Sequence, residues 1–382
     1  MRTEEDLRRL LKRAALAALG AGALGAAACL AGAAWDPVQA ARSWLWAFLF
    51  WAGLAVGCAG AAWLHQMLGG GWGVVVRRLL ESGAATAPLL PLFFLPLLPA
   101  LATLYPWVHP AGHAEAIEAK HAYLNVPFFL ARTGLYFGAW ILGGVVLARE
   151  AAKTDRTARR RLRRWSGPAL LVYGFTLTFA AIDWAMSLEP IWFSSVYGLL
   201  FIAGQLLSTF ALVALAAGIL RPYSPFREAV EPQRSQDLGN LLFMAVLLWA
   251  YLSFSQFLLI WSANLPEEVP WILARVYSGW GPVAAVVLLL HFAVPFLLLL
   301  SADLKRNPAA LAAVAALLLV LRLVDTFWWV APAFHPDGPR LHWLDPAAAA
   351  AVGGLWVAAW LFRLGRGPLA PAEAATTEAA HG

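Results

Sequence analysis

Long apolar runs separated by short polar segments make up most of this chain. Ten of the runs are roughly 20 residues long, which is enough for a helix to cross the hydrocarbon core of a bilayer. They cover residues 14–34, 44–67, 87–108, 126–148, 166–186, 192–219, 238–261, 279–301, 308–330 and 346–363. The pattern predicts an all-α polytopic membrane protein with about ten transmembrane helices.

Composition agrees with this pattern and narrows the class of protein. Of the 382 residues, 61% are hydrophobic and only 13% are charged, too few for the surface of a soluble protein of this length. The net charge of +6 could indicate nucleic-acid binding, but the basic residues lie in short loops between apolar runs, as membrane orientation requires. Many of the 20 tryptophans lie at the ends of runs, where we expect them to anchor helices at the membrane interface.

The loops between the runs alternate in charge. One set includes both chain ends and, with Arg363 at the end of the last run, holds 22 of the 28 lysines and arginines, among them the stretch RTARRRLRR (156–164). The opposite set holds only Arg42, Lys120, Arg275 and Arg340. Under the positive-inside rule both termini are cytoplasmic, and we predict a multi-pass protein of the bacterial inner membrane.

The two ends of the chain carry distinct signals. The first apolar run follows RRLLKR (8–13) and could belong to a signal peptide, but it is longer than a usual signal core, which favours an uncleaved helix. The last residues, PLAPAEAATTEAAHG (368–382), are of low complexity, and we predict a disordered cytoplasmic tail.

Five ionisable residues inside the predicted spans are functional candidates, because a buried charge costs several kcal/mol unless it is paired or hydrated. They are Arg132, Asp183, His291, Arg322 and Asp325. The helical rise places the acids and arginines in the outer half of the membrane and His291 near its centre. Arg322 and Asp325 are three residues apart and share a helix face.

Two interpretations of these residues are open on sequence alone. The arginines and aspartates can be ion pairs that only hold the helices together. Alternatively, Asp183, His291 and Asp325 exchange protons along a polar path, and the two arginines tune the acids and order water. A coarse duplication, in which TLTFAAIDWAMSL (176–188) matches VLRLVDTFWWVAP (320–332), places one aspartate at a matching depth in each half and predicts that the two behave alike.

The seventh run carries polar residues on one face, since Ser253 and Gln256 are spaced as helix neighbours and Asn264 follows at the outer end. Such side chains bond neighbouring helices or line a polar path. Cys29 and Cys58 lie within apolar runs and are read as small core residues. Because no Cys cluster and no pair of histidines at matching depth is present, we expect this chain alone to bind no metal, haem or iron–sulfur cluster.

Four segments resemble one known family. DWAMSLEPIWFSSVYG (183–198) and FSQFLLIWSANLPEE (254–268) are similar to motifs of an NrfD-like (polysulfide reductase type) membrane subunit of bacterial alternative complex III, a quinol:cytochrome c oxidoreductase. HAYLNVPFFLARTGLYFGAW (121–140) and LRLVDTFWWVAPAFHP (321–336) agree in the expected order. The chain resembles the second, ActF-type, of the two NrfD-like subunits of that complex.

The resemblance implies two four-helix bundles, helices two to five and six to nine, with peripheral first and last helices. The corresponding boundaries are 1–43 for the N-terminal segment and first helix, 44–191 and 192–334 for the two bundles, and 335–382 for the last helix and tail. It also implies that haem c and iron–sulfur clusters belong to partner subunits. Ile191 and Ser262 stand where the family pattern has His and Tyr, so neither is assigned a role.

Three functions follow as expectations. The leading one is a membrane subunit of a respiratory or photosynthetic quinol:cytochrome c oxidoreductase that contributes a proton path and is not catalytic alone. The candidates for a polar path or for contact with quinol are Ser253, Gln256, Asn264 and Glu189. The second is the quinol-binding anchor of a polysulfide- or nitrite-reductase-type complex. The third is a stand-alone secondary transporter. It is disfavoured because transporters usually have broken helices in both halves, whereas the clearest sign of one here is Pro295, in the eighth run only.

Overall fold

A computed structural model of the chain describes residues 2–110, 114–151, 153, 156–367 and 369. In this part of the chain, ten helical segments are long and apolar enough to cross a membrane. They are α1 (Glu4–Trp35), α2 (Pro37–Leu68), α3 (Val76–Leu104), α4 (Val126–Glu150), α5 (Arg160–Leu188), α6 (Tyr197–Leu220), α7 (Pro232–Ala263), α8 (Gly281–Leu300), α9 (Pro308–Ala333) and α10 (Leu344–Arg366). Each overlaps one predicted span, so the all-α polytopic fold is confirmed.

Helix starts follow the local sequence signals. Thr3 and Asp6 form a capping box at the start of α1, in which each side chain accepts a hydrogen bond from the other residue's backbone N–H. Asp36 caps α2 immediately before Pro37, and Asn307 caps α9 immediately before Pro308. Proline suits the first helical position because the N–H it lacks would have no partner there.

The ten segments form two four-helix bundles with a peripheral pair. In the first bundle α2 packs against α3 and α5, and α4 closes the ring; in the second α6 packs against α7 and α9, and α8 closes the ring. Helices α2 and α6 pack against each other between the bundles and are the most buried of the ten. Helices α1 and α10 pack together against the first bundle. The predicted domain boundaries stay a prediction.

Ten crossings return the chain to the side on which it began. We call the side that holds the start of α1 and the end of α10 the terminal side, and the other the opposite side. The predicted disordered tail lies outside the described residues, apart from Leu369.

Small residues allow α1 and α10 to touch along their backbones. A Cβ atom on Gly354 would lie 2.5 Å from the backbone nitrogen of Gly22, and one on Gly25 would lie 2.6 Å from the backbone nitrogen of Ala351. Without a side chain at these positions the two backbones approach to van der Waals contact, which is the usual basis of helix association in membranes.

Segment α3 is broken, which the sequence analysis did not predict. Its regular first part belongs to a helix that runs from Trp72 to Ala84, and short α- and 3-10 turns follow up to Leu104. Four prolines, at positions 88, 91, 96 and 99, remove backbone donors and prevent a continuous α-helix. The expectation that helix breaks are confined to the eighth run is therefore wrong.

Helix α8 changes its winding around His291. Residues Val287–Ala293 form a π-helix, followed by an α-helical turn that begins at Val294 and contains Pro295. Because proline cannot donate to the carbonyl of His291, the regular hydrogen-bond series cannot pass this point unchanged. The wider turn presents His291 to the inside of the bundle, where the residue is fully buried.

Many tryptophans lie in the protein core, and the expected role as interfacial anchors does not apply to these. The buried ones are Trp63, Trp72, Trp107, Trp140, Trp184, Trp192, Trp249, Trp271, Trp280, Trp356 and Trp360. Two of them donate their indole N–H to backbone carbonyls, Trp280 to His335 at 2.7 Å and Trp360 to Leu79 at 3.0 Å, and four others donate to side-chain hydroxyls. A satisfied N–H removes the main cost of burying an indole.

Candidate functional site

The first cluster of buried charge lies in the first bundle, towards the opposite side. Arg132 of α4 donates two hydrogen bonds to Asp183 of α5, Nε to Oδ2 at 2.8 Å and Nη2 to Oδ1 at 2.9 Å. Tyr136, one turn further along α4, donates its hydroxyl to Oδ2 at 2.7 Å. Asp183 is fully buried and accepts three strong side-chain hydrogen bonds, so this pair clamps α4 to α5.

The loop before α4 completes the clamp. The guanidinium carbon of Arg132 lies 3.8 Å from the ring centroid of Tyr123 and 4.2 Å from that of Phe128. Its Nη1 donates to the backbone carbonyl of Tyr123 at 3.0 Å. Burial and the nearby charge of Asp183 raise the pKa of the Tyr123 phenol, which keeps that hydroxyl neutral beside the ion pair.

The second cluster lies in the second bundle on α9. Arg322 is bonded through Nη1 to Asp325, and the Nε of Arg322 donates to the hydroxyl of Ser208 on α6 at 3.3 Å. Trp329 donates its indole N–H to the other carboxylate oxygen of Asp325 at 3.1 Å. The pair expected from the spacing is thus present. It makes fewer hydrogen bonds than the Asp183 clamp.

The two clusters differ although the two aspartates match in the duplicated segments. Asp183 is held by an arginine on a neighbouring helix, whereas Asp325 is held by an arginine on its own helix. Glycine at position 204 makes room for the second arrangement, since a Cβ there would lie 2.4 Å from the Arg322 Nη2. The first cluster therefore ties helices together, and the second places a carboxylate beside the interior of its bundle.

His291 lies near this second cluster but outside its hydrogen bonds. Its ring packs edge-on against Trp249 of α7, with ring centroids 4.3 Å apart. Both imidazole nitrogens lack a hydrogen-bond partner within the described residues, and so does the indole N–H of Trp249. Buried polar groups are normally satisfied, so unpaired ones point to water, a ligand or a proton-transfer role.

A small cavity joins Trp249 to the ion pair. It has a volume of about 10 Å³ and is lined by Arg322, Thr326, Trp329 and aromatic residues of α6. This is close to the smallest volume that admits one water molecule, and the polar atoms around it could hold that water. Trp249 and Trp329 line this small cavity, and both also line a second, larger cavity.

On their other side, the same two tryptophans line a large apolar cavity that opens to the bilayer. It has a volume of about 610 Å³ and lies between α7, α8, α9 and the short helix Val269–Val276. Ser253 and Gln256 supply polar atoms, and lipid-exposed Tyr251 and Phe254 are at its edge. Its size matches cavities that hold drug-sized ligands, and its opening lets an apolar molecule enter from the membrane.

The polar residues predicted on the seventh run separate into two groups. Ser253 and Gln256 line the cavity; the hydroxyl of Ser253 has no partner in the described structure, and Gln256 accepts a hydrogen bond from Ser194. Asn264 instead ends α7 in a left-handed conformation with φ of 49° and is exposed. Its role is to end the helix, and it does not line the cavity.

Glu189, predicted to lie in a turn beyond Asp183, meets a residue that the sequence analysis counted only as a loop charge. Arg275, which is fully buried, binds its carboxylate with Nη2 to Oε2 at 2.5 Å. The same nitrogen donates to the carbonyl of Trp329 at 3.0 Å, and the guanidinium lies 3.9 Å from the ring of Trp271. Contacts therefore run from Asp325 through Trp329 and Arg275 to Glu189 on the opposite side.

Sequence signals for two missed residues existed. Arg275 stands four residues after Trp271, the spacing at which a helix stacks a cation on an indole. Tyr136 likewise stands four residues after Arg132, where its hydroxyl can reach the same partner. Neither spacing is specific by itself, because only the fold decides which helix face meets an acid.

Two further buried acids have structural partners. Glu81, predicted to lie in a loop, belongs to the helical start of α3 and binds Arg77 at 2.6 Å and Arg78 at 3.2 Å. Asp345, at the start of α10, accepts a hydrogen bond from Ser43 of α2 at 2.6 Å. Each acid is satisfied by these contacts, so neither is assigned to the site around Asp325.

No three His, Cys, Asp or Glu side chains are grouped as possible metal ligands in the described residues. Both cysteines are buried and unpaired. Comparison with known proteins finds no matching family model, and none of the curated proteins compared with the chain matches it. The resemblance to the NrfD-like family thus stays a prediction from its motifs.

Proposed function

We propose that this chain is a membrane subunit of a quinol:cytochrome c oxidoreductase of the alternative complex III type, in which it binds quinol and contributes a proton path. The observation that supports this best is the position of the bilayer-facing cavity against the tryptophans that border Asp325 and His291. The sequence motifs quoted above support the same assignment independently.

The cavity suits a quinol chemically. A quinol has an apolar isoprenoid tail that partitions into the bilayer and a ring with two oxygens that donate and accept hydrogen bonds. The cavity is apolar and open to lipid, while the unpaired Ser253 hydroxyl can bond a ring oxygen. A pocket with a few polar groups in apolar walls is the usual form of a small-molecule site.

Oxidation of a quinol releases two electrons and two protons. In this proposal the electrons go to haem c and iron–sulfur clusters in partner subunits, and the protons are accepted by groups of this chain. Asp325 and His291 lie immediately behind the cavity wall, and carboxylate and imidazole are groups that bind and release protons. Arg322 holds the carboxylate in place.

The exit is proposed on the opposite side. Contacts of Trp329 and Arg275 link Asp325 to Glu189, which is partly exposed. Because neither an indole nor a guanidinium relays protons, water carries the proton between the two carboxylates in this proposal. The Arg132–Asp183 clamp stabilises the neighbouring bundle at the same side. With the basic loops cytoplasmic, this side faces outwards from the bacterial inner membrane, and a sister NrfD-like subunit and haem- and cluster-bearing subunits complete the complex.

Substitution of Asp325 by Asn tests the proton path. The amide keeps the shape of the side chain and one hydrogen-bond acceptor, but it does not bind and release a proton as a carboxylate does. We expect turnover per assembled complex to fall roughly 100-fold, the lower range for loss of an acid–base group. The yield of assembled complex is measured separately, because Arg322 loses its buried counter-ion. Normal turnover and normal proton release in an intact complex would leave Arg322–Asp325 as a packing pair.

Two serines on α7 test quinol binding with a matched control. Ser253 lines the cavity with an unpaired hydroxyl, whereas the Ser255 hydroxyl is bonded to the carbonyl of Tyr251 at 2.8 Å, and Ser255 does not line the cavity. We expect Ser253→Ala to raise KM for quinol about fivefold, equivalent to roughly 1 kcal/mol for one hydrogen bond, and Ser255→Ala to leave it unchanged. Equal effects would contradict the assignment.

A stand-alone secondary transporter is the second candidate, because α3 in one bundle and α8 in the other are both irregular, as broken helices of transporters are. Purification from native membranes separates the two functions. We expect the chain to be isolated with haem- and cluster-bearing subunits and, when separated from them, to show no cofactor absorbance. Isolation without such partners, together with substrate uptake by proteoliposomes, would favour the transporter.

A further inference from the structure

A second large cavity lies on the terminal side, away from the proposed quinol cavity. It has a volume of about 590 Å³ and is bordered by α3, α4 and α10. Three of its lining residues are arginines, Arg78, Arg363 and Arg366, and most of the others are apolar. A cavity with these two kinds of wall fits a ligand that is anionic at one end and apolar at the other.

The two kinds of wall are separated along the membrane normal. On α3 the lining residues run from Arg78 through Ala85 to Leu89, about 16 Å at the rise of an α-helix. On α10 they run from Arg366 and Arg363 through Phe362 to Ala359. Since α3 enters the membrane and α10 leaves it at this side, the arginines are at the membrane surface and the apolar residues lie deeper.

The arginines of α10 carry a positive charge that the described residues do not neutralise. Glu81, the acid at the cavity, is already bound to Arg77 and Arg78. Arg363 and Arg366 are exposed, and neither makes an ion pair or hydrogen bond within the described residues. The Nε of Arg78 is buried and also lacks a partner there, which is a further donor available for an anion.

We propose that this cavity is a binding site for an anionic phospholipid. The phosphate lies against Arg363 and Arg366, with Arg78 at the back of the site, and one acyl chain follows Phe362 and Leu89 into the bilayer. Arginine clusters between transmembrane helices attract lipid phosphates by charge and by hydrogen bonding. The proposal does not depend on the quinol function, because the two cavities share no residue.

The test measures binding of phosphatidylglycerol to the delipidated full-length protein in mixed micelles, by the rise in Tm as the lipid is titrated. In the variant Arg363→Gln/Arg366→Gln we expect the affinity to fall roughly 30-fold, at about 1 kcal/mol for each arginine. The matched control is Arg163→Gln/Arg164→Gln, which removes two exposed arginines from the start of α5 on the same side. This control should bind like the wild type.

Further measurements in the same assay identify the ligand and its position. Phosphatidylcholine and inorganic phosphate should stabilise the protein far less than phosphatidylglycerol. The variant Ala359→Trp, which fills the apolar part without changing charge, should also weaken binding. Equal loss in the Arg163/Arg164 control, equal stabilisation by inorganic phosphate, or unchanged binding in Ala359→Trp would each overturn the proposal.

A last variant tests whether the chain's own C-terminal acids compete for the site. Glu373 and Glu378 follow α10 in the sequence and are anionic groups of the same chain. If lipid occupies the site, Glu373→Gln/Glu378→Gln should leave phosphatidylglycerol affinity unchanged. A clear gain of affinity in this variant would assign the arginines to the tail instead.

Discussion

Asp183→Asn is the substitution whose cost follows most directly from the geometry. The carboxylate accepts Arg132 Nε and the Tyr136 hydroxyl on Oδ2, and Arg132 Nη2 on Oδ1. An asparagine can keep its oxygen at the first position but then turns its amide NH₂ towards Nη2, so that two donors face each other. One charge-assisted hydrogen bond is lost, worth about 1.5–3 kcal/mol.

The lost charge adds to this cost. Arg132 is only 8% exposed, and its guanidinium would remain buried without a counter-ion. Removing one partner of a buried ion pair destabilises by about 3–5 kcal/mol in total. We therefore expect Asp183→Asn to lower the free energy of unfolding by that amount, although it is nearly isosteric.

Equilibrium unfolding in mixed micelles with increasing dodecyl sulfate measures this loss. Glu267→Gln is the control, because Glu267 is exposed and makes no ion pair in the described structure, and it should stay within about 0.5 kcal/mol of wild type. The double variant Arg132→Gln/Asp183→Asn should be more stable than the sum of the single losses by about 2 kcal/mol. Additive losses, or a cost below about 1 kcal/mol for Asp183→Asn, would show that the pair is not the clamp inferred from its contacts.

Three further predictions test other parts of the fold. Gly354→Ala should destabilise the α1–α10 pair by about 1–3 kcal/mol, seen as a lower unfolding midpoint, because its Cβ would meet the backbone of Gly22; a neutral effect would refute the close approach. Gly204→Ala should displace the Arg322 guanidinium and reduce stability by a similar amount, whereas an unchanged midpoint would contradict that position of the side chain. Reporter fusions at exposed Arg221 and Glu267 should report the cytoplasm and the outside, respectively; the reverse result would invert the orientation.

The membrane fold was predictable because apolar length is a local property. A helix needs about 20 apolar residues to cross a bilayer, and each of the ten runs meets that need by itself. Loop charge, which predicts orientation, is likewise read directly from the chain. The broken α3 was missed although its four prolines are visible, because hydropathy counts a proline-rich apolar run as a helix.

Part of the candidate site could also be predicted from residues that are close in the sequence. Arg322 and Asp325 pair within one helix, so their spacing alone predicts the contact. The matching of Asp183 with Asp325 was read from similar segments, but the structure shows that their partners differ. Whether an aspartate meets an arginine of its own helix or of a neighbouring one depends on helix rotation, which the sequence pattern does not specify.

Contacts between distant segments were decided only by the tertiary structure. Glu189 and Arg275 are 86 residues apart in the chain, and they meet because both bundles bring their opposite-side loops together. The two cavities likewise arise from side chains of three or four different segments. A single sequence determines which segments enter the membrane, since hydrophobicity acts residue by residue; which polar groups meet there is determined by packing, since this depends on all the helices at once.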